Sequence, residues 1–329
     1  MTRHRGRRAA VLVAAAALTL AACSTPLPEP QPDAVPAAVP PAVSTDQVED
    51  IMGEVAAVIA AADAATEPAL LDPRVAGPAR EIRGVEYLLA RAGDPNAITS
   101  IPPVAQTIVA PTTDTWPRTV MVVTEPPADL QPPLLLTLVQ EDPRSPYRLW
   151  SWARLFPGVE MPATAQPEIG SAPVTPDAAD LAVPPAEVVA RYVDLLTNGP
   201  ASPYVGTFTD DPLRTGITGT RDAFAGVVGA NGTLTETYAP LDSGPYAIAT
   251  ADGGAIVVGG FRTVTAITLA DSTLTIGDQT AALLGTPTVA SNLTIGWLSV
   301  VAFAVPPAGS TEPVRVLGGE HSRIQVQGQ

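Results

Sequence analysis

Twice along this 329-residue chain the apolar residues first recur at the spacing of a helix face and then alternate as they do along strands, an order that selects an α+β architecture. Residues 44–47, Ser-Thr-Asp-Gln, have the form of a capping box. Val48, Ile51, Met52, Val55, Val58, Ile59 and Ala62 follow on one helical stripe. A second helical stretch, 75–92, presents Ile82, Val85, Tyr87, Leu88 and Leu89 and stops at Gly93 with Pro95 behind it. Alternation then predicts strands over 106–110, 118–124, 134–140 and 147–156, separated by turn-forming runs such as 111–114 and 141–145. This is one α+β unit, residues 44–158.

A Pro-, Ala- and Ser-rich stretch with little periodicity, 159–184, reads as an inter-domain linker. The pattern restarts at Pro185, a residue that the first turn of a helix tolerates. Val188, Val189, Tyr192, Leu195 and Leu196 form the apolar face, and Asn198-Gly199 ends the helix. A short helix is expected over 222–228, then strands over 233–238, 246–250, 255–266, 273–276, 293–305 and 314–326, with Asp252-Gly253-Gly254 as a hairpin turn. In the longest strand Leu293, Ile295, Trp297, Val301, Phe303 and Val305 keep one face apolar, and Gly296 is where so long a strand can bend or bulge. The second unit spans 185–329. Helices followed by a long, curved antiparallel sheet resemble the NTF2-like and SnoaL-like superfamily, or a cystatin-like arrangement. The resemblance implies two such domains in tandem and carries no activity.

The N-terminus combines Arg3, Arg5, Arg7 and Arg8 with an uncharged run from Ala9 to Ala22 that is too short to span a bilayer, as in a secretory signal, residues 1–22. It ends in Leu20-Ala21-Ala22-Cys23, which resembles the bacterial lipobox. That resemblance implies acylation of Cys23 and a membrane partner reached through the lipid, at the extracytoplasmic face of the cell membrane. Residues 23–43 carry Pro26, Pro28, Pro30, Pro32, Pro36, Pro40 and Pro41, which favours an extended tether. Cleavage before Cys23 leaves 14 of the 18 basic residues against all 33 acidic ones, a net charge of −19. So acidic a body argues against nucleic acid as partner. The lipobox, the use of Arg without any Lys, and the segments 134–140 (Leu-Leu-Leu-Thr-Leu-Val-Gln) and 147–152 (Tyr-Arg-Leu-Trp-Ser-Trp) together resemble lipoproteins of uncharacterised families in high-GC actinobacteria.

Composition excludes much chemistry. All 18 basic residues are Arg, so no phosphate-loop or Schiff-base lysine exists, and one Cys with two His leaves no thiolate cluster or multi-His metal centre. No cofactor or metal is expected. In Glu320-His321-Ser322, strand neighbours point to opposite faces and cannot form a triad. Asp210-Asp211-Pro212 is either an acid pair at a pocket mouth or a turn or helix cap. Along 148–156, Arg148, Trp150, Trp152, Arg154 and Phe156 alternate with Leu149, Ser151, Ala153 and Leu155. The first set is either a stacking surface for an envelope protein or glycan, or a face packed inside the sheet or against the second half. These readings converge on an exported, lipid-anchored, non-catalytic binding or scaffolding protein. The alternative is a small-ligand carrier or SnoaL-like enzyme with Tyr204, Asp210, Asp211 and Trp297 around an apolar cone in the second unit.

Overall fold

The computed structural model describes residues 39–128, 131–270 and 272–329; the signal segment, Cys23 and the tether through residue 38 lie outside them. Helix α1 (Thr45–Ala65) starts at the expected capping box, in which Ser44 Oγ accepts from the Gln47 N–H at 3.2 Å and Gln47 Oε1 accepts from the Ser44 N–H at 2.9 Å. Two otherwise orphaned donors are satisfied reciprocally, which fixes the start. Helix α2 (Gly77–Arg91) follows, then β1 (Ala105–Val109), β2 (Arg118–Thr124), β3 (Leu134–Gln140) and β4 (Arg148–Leu155). The second half supplies α3 (Pro185–Asn198), α4 (Pro212–Val228), β5 (Gly232–Pro240), β6 (Tyr246–Ala249), β7 (Ala255–Leu269), β8 (Leu274–Thr275), α5 (Asp278–Leu284), β9 (Thr288–Val289), β10 (Asn292–Val305) and β11 (Arg315–Gly328). Helix α4 begins ten residues before the stretch read as helical, at Pro212 beside the cap Asp211; Gly216 and Gly219 in its interior dilute the local signal. Helix α5 has only seven residues and leaves little periodicity to read.

The two halves do not close separate sheets. One antiparallel sheet runs β1-β2-β3-β4-β11-β10-β7-β5, with β6 also on β7. The joint between the halves is short: Leu155 opposite Gly318 and Arg154 opposite Gly319. Below it β4 takes its next partner from the segment before α2, where Leu149 N–H donates to Arg74 O at 2.8 Å and Ala76 N–H to Leu149 O at 2.9 Å. The sheet then curls so that its two halves face each other. Met121, Val123, Leu135, Ala153 and Leu155 pack with Ile256, Val258, Val300, Ala302 and Leu317 in a shared core. Helices α1 and α2 cover the outer face of β2–β4 at Val120, Val122, Leu136 and Leu138. Helix α3 covers the outer face of β7 and β10 at Val257, Phe261, Val301 and Phe303. The result is four layers, helix–sheet–sheet–helix, and strands buried on both faces read as near-continuous apolar runs, as 300–305 and, but for Thr137, 134–139 do.

The stretch expected as an inter-domain linker is built into this body, and residues 39–329 form one compact unit. Ser171 N–H donates to Ala110 O at 2.8 Å, Thr112 N–H to Ser171 O at 2.9 Å, and Ala249 N–H to Ala172 O at 3.0 Å, so residues 171–173 bridge the end of β1 to β6. Single backbone bridges leave no hydrophobic period, which is why composition alone suggested a linker. Beyond the sandwich the long ends of β7 and β10 carry a fourth core, Ile267, Leu293, Ile295 and Trp297, closed by Val228, Leu274, Ile276 and Val289. The bulge expected at Gly296 lies in its partner, where Gly296 faces Gln325, Trp297 faces Arg323, and Ile324 is the extra residue.

Candidate functional site

The expected surface on β4 does not form. Leu138 pairs with Leu149 and Thr137 with Ser151, so Trp150 is an extra, bulged residue and the alternation of side chains changes phase there. Leu149 and Trp152 consequently join the core under α1 and α2, whereas Trp150, Ala153 and Leu155 join the core between the sheet halves. Trp152 is 1% exposed and Trp150 4%. Trp150 meets the Tyr246 ring edge-on at 4.9 Å, and Arg83 lies over Trp152 at 5.4 Å. Arg154 donates to Pro132 O at 3.0 Å, and Arg148 is half-buried. Of the four residues read as one stacking face, the two tryptophans are therefore split between two interiors and the two arginines are half-buried.

The expected pocket is also not assembled. Asp211 caps α4, accepting from the Arg214 N–H at 2.8 Å and from the Tyr192 hydroxyl at 2.9 Å, and burial raises its carboxyl above the ordinary range. Asp210 is exposed and pairs with Arg214 at 2.5 Å. Tyr204 is half-buried beneath Arg191. The interior they were to enclose is filled by Tyr192, Phe208, Phe261 and Phe303, with ring centroids 5.4 to 6.2 Å apart. Trp297 belongs to a different core.

Polar groups do converge around Trp297, in a cleft of about 160 Å³ between α2, α5 and the β10–β11 pair. The apolar stripe of α2 supplies Ile82, Val85 and Leu89, with Ala97 beside them; Glu86 is on the same helix. Opposite stand Gln279, His321, Ser322 and Arg323. Trp297 donates from Nε1 to Thr265 Oγ1 at 3.1 Å, stacks on His321 at 4.7 Å with the rings 9° apart, and carries the Arg323 guanidinium 4.6 Å from its ring centre. His321 Nδ1 is 2.8 Å from Ser299 Oγ, its register partner across the ladder. Ser299 is wholly buried, so this pair offers no accessible nucleophile. Glu320 and Ser322 hydrogen-bond each other at 2.7 Å and take no part with His321.

The electrostatics follow from burial. Desolvation, aided by the Arg323 charge, pushes His321 down to about 4, so its ring is neutral at pH 7. Burial raises Glu86, although Arg83 Nη1 at 2.7 Å and the Thr99 hydroxyl at 2.6 Å favour its charged form. Arg323 donates from Nη1 to Gln279 Oε1 at 3.2 Å, and Gln279 Nε2 is fixed by Asp94 at 3.1 Å. Among the described residues Arg323 has no carboxylate partner, and its buried Nε has no hydrogen bond. In the sequence His321 and Trp297 stand out separately, while Arg323, Gln279 and Glu86 carry no signal of their own. Positions 321 and 323 sit two apart, one opposite Ser299 and the other opposite Trp297, but that pairing needs the β10–β11 register.

A pH dependence follows. The unfolded chain binds the His321 proton near pH 6.5 and the folded chain only near 4, so stability falls as pH drops through that window, by up to about 3 kcal/mol. Glu86 and Asp211, both raised, act in the opposite sense. The readout is therefore the difference between wild type and His321→Gln in urea melts at pH 7 and 4.5: the variant should lose less stability on acidification. Equal losses would show that His321 titrates normally.

Fold and site together define an α+β protein with one curled antiparallel sheet, helices on both outer faces and a small polar cleft at its far end. The chain belongs to the family described as Domain of unknown function (DUF8094), whose model matches residues 39–328. No curated protein and no solved structure matches it. Among the described residues no helix is long and apolar enough to cross a membrane, and no group of acidic, His or Cys side chains is arranged to hold a metal ion.

Proposed function

We propose that this is an exported lipoprotein, held by a lipid on Cys23 at the extracytoplasmic face of the cell membrane, that binds an envelope protein or glycan without catalysing a reaction. The carrying observation is that aromatic side chains fill the interior of the second half, while polar groups converge in the cleft of α2, α5, β10 and β11. A tandem NTF2-like origin is consistent with each half keeping its own helices and helix-side core, the two joined sheet to sheet. The acidic body and the Pro-rich tether suit a domain held away from an anionic bilayer.

Fractionation tests the anchor. Wild-type protein is expected with membranes and Cys23→Ala in the soluble fraction; a membrane-bound variant would overturn the lipid assignment. A photo-crosslinking residue at Val85, in the cleft, should give a defined envelope adduct in intact cells, and one at Val205, exposed on the second half, should not. Adducts from both positions or from neither would sink the assignment of binding to the cleft.

A further inference from the structure

We propose that the cleft between α2 and the β10–β11 pair takes a small monocarboxylate, its carboxylate on Nη2 of Arg323 and its short hydrocarbon part against Ile82, Val85 and Leu89. This goes beyond the reading of the cleft as the site of an envelope partner and rests on the cleft being the binding site.

The argument begins with the orientation of one guanidinium. Arg323 lies on the Trp297 ring, and its Nη1 is committed to Gln279, which Asp94 fixes in turn. Nε is closed off from the cleft, so Nη2 is the donor left to a ligand, and a charge-assisted N–H to a carboxylate oxygen is among the stronger hydrogen bonds. Nε is buried and unbonded, and no hydrogen bond to a described residue involves Nη2. An unpaired, partly buried cation is costly, the more conspicuously so in a chain with 33 acidic residues against 18 basic ones. A ligand carboxylate would supply what the fold omits.

Size and lining narrow the ligand further. A cleft of about 160 Å³ is well below the ~300 Å³ at which sites for drug-sized ligands begin, so the group it encloses is small. Three aliphatic side chains of α2 and Ala97 form one wall, which suits a hydrocarbon tail. Glu86 stands in the same wall. Its charge is offset by Arg83, but a second negative group on the ligand would be brought toward it. One carboxylate is therefore favoured over sulfate, phosphate or a dicarboxylate. The neutral His321 ring leaves its Nε2 free for a further hydrogen bond.

The test is a titration of the full-length chain with sodium butyrate, following the indole N–H resonance of Trp297, assigned with Trp297→Phe. A ligand of so few atoms should bind with a Kd of millimolar order. The expected result is a saturable shift, about tenfold weaker binding in Arg323→Gln, and intermediate binding in Arg323→Lys, which keeps the charge but loses the planar group held by Trp297 and Gln279. Ala97→Leu leaves Arg323 in place and fills the apolar wall, so it should lose butyrate while retaining formate. Butylammonium and sulfate should give no saturable shift. Equal binding of butyrate by wild type and Arg323→Gln, sulfate binding as tight as butyrate, or no saturation at all would overturn the ligand assignment. If butyrate fails while Val85 still crosslinks an envelope partner, the ligand class is wrong and the cleft remains the binding site. If both fail, the site itself is wrong.

Discussion

Gly318→Ala should cost about 3 kcal/mol of stability, read as a lowered urea midpoint. Position 318 faces Leu155 in the two-residue joint that makes one sheet of the two halves. A Cβ there would stand 2.3 Å from Arg154 O and 2.8 Å from the Leu155 Cα, both backbone atoms held by pairing on either side. Relief requires the strands to part, and that exposes the shared core of Leu155, Val300, Ala302 and Leu317. The neighbouring Gly319→Ala is the control. Its Cβ would meet the end of the Leu213 side chain at 2.8 Å, which can swing away, and Val300 O at 3.2 Å, which needs only a few tenths of an ångström, so about 1 kcal/mol is expected. Equal losses at the two positions would show that the joint is not what the glycine at 318 protects.

Arg83→Met should cost a similar amount, about 3 kcal/mol at pH 7, for a different reason. Arg83 is 1% exposed, donates from Nη1 to Glu86 Oε2 at 2.7 Å and to Thr99 O at 2.8 Å, and covers Trp152. Its Nε lies 3.6 Å from Asp63. Removing it strands the Glu86 carboxylate in a site that already raises its pKa through burial. With Glu86 in the variant binding its proton more tightly folded than unfolded, the gap in stability to wild type should narrow as pH falls toward 4.5, the unperturbed carboxyl value, the His321 contribution being common to both. The double variant with Glu86→Met should recover most of the loss at pH 7, because a buried ion pair is often replaceable by apolar volume while half of one is not. A double variant no better than Arg83→Met would show that the guanidinium matters for its contacts with Trp152 and Thr99 and not for Glu86.

Both effects arise where long-range contacts meet, and this divides what was legible beforehand. The capping box of Ser44 and Gln47, the stripes of α1 and α3 and the bounds of β2 and β3 follow from patterns a few residues long. The α+β class follows from their order. Asp211 as a helix cap was already one of the two readings of its Asp-Pro neighbourhood, because such caps are built from adjacent residues. The sequence also carries the reasons for assigning a lipid to Cys23, which lies outside the described residues.

Other features had no local signature. The phase of β4 depends on a bulge opposite Thr137, and one extra residue sends Trp150 and Trp152 to opposite faces. That two halves share a sheet depends on two glycines meeting a strand more than 160 positions earlier. Closure by residues 171–173 uses single backbone bridges, and the cleft draws on α2, α5, β10 and β11, whose members are brought together only by the curl of the sheet. Periodicity, charge and short motifs therefore determined the elements, their class and the expected address. Register, bulges and cross-sheet packing decided which side chains are core and which line a site, because those choices are set by partners far away in the chain.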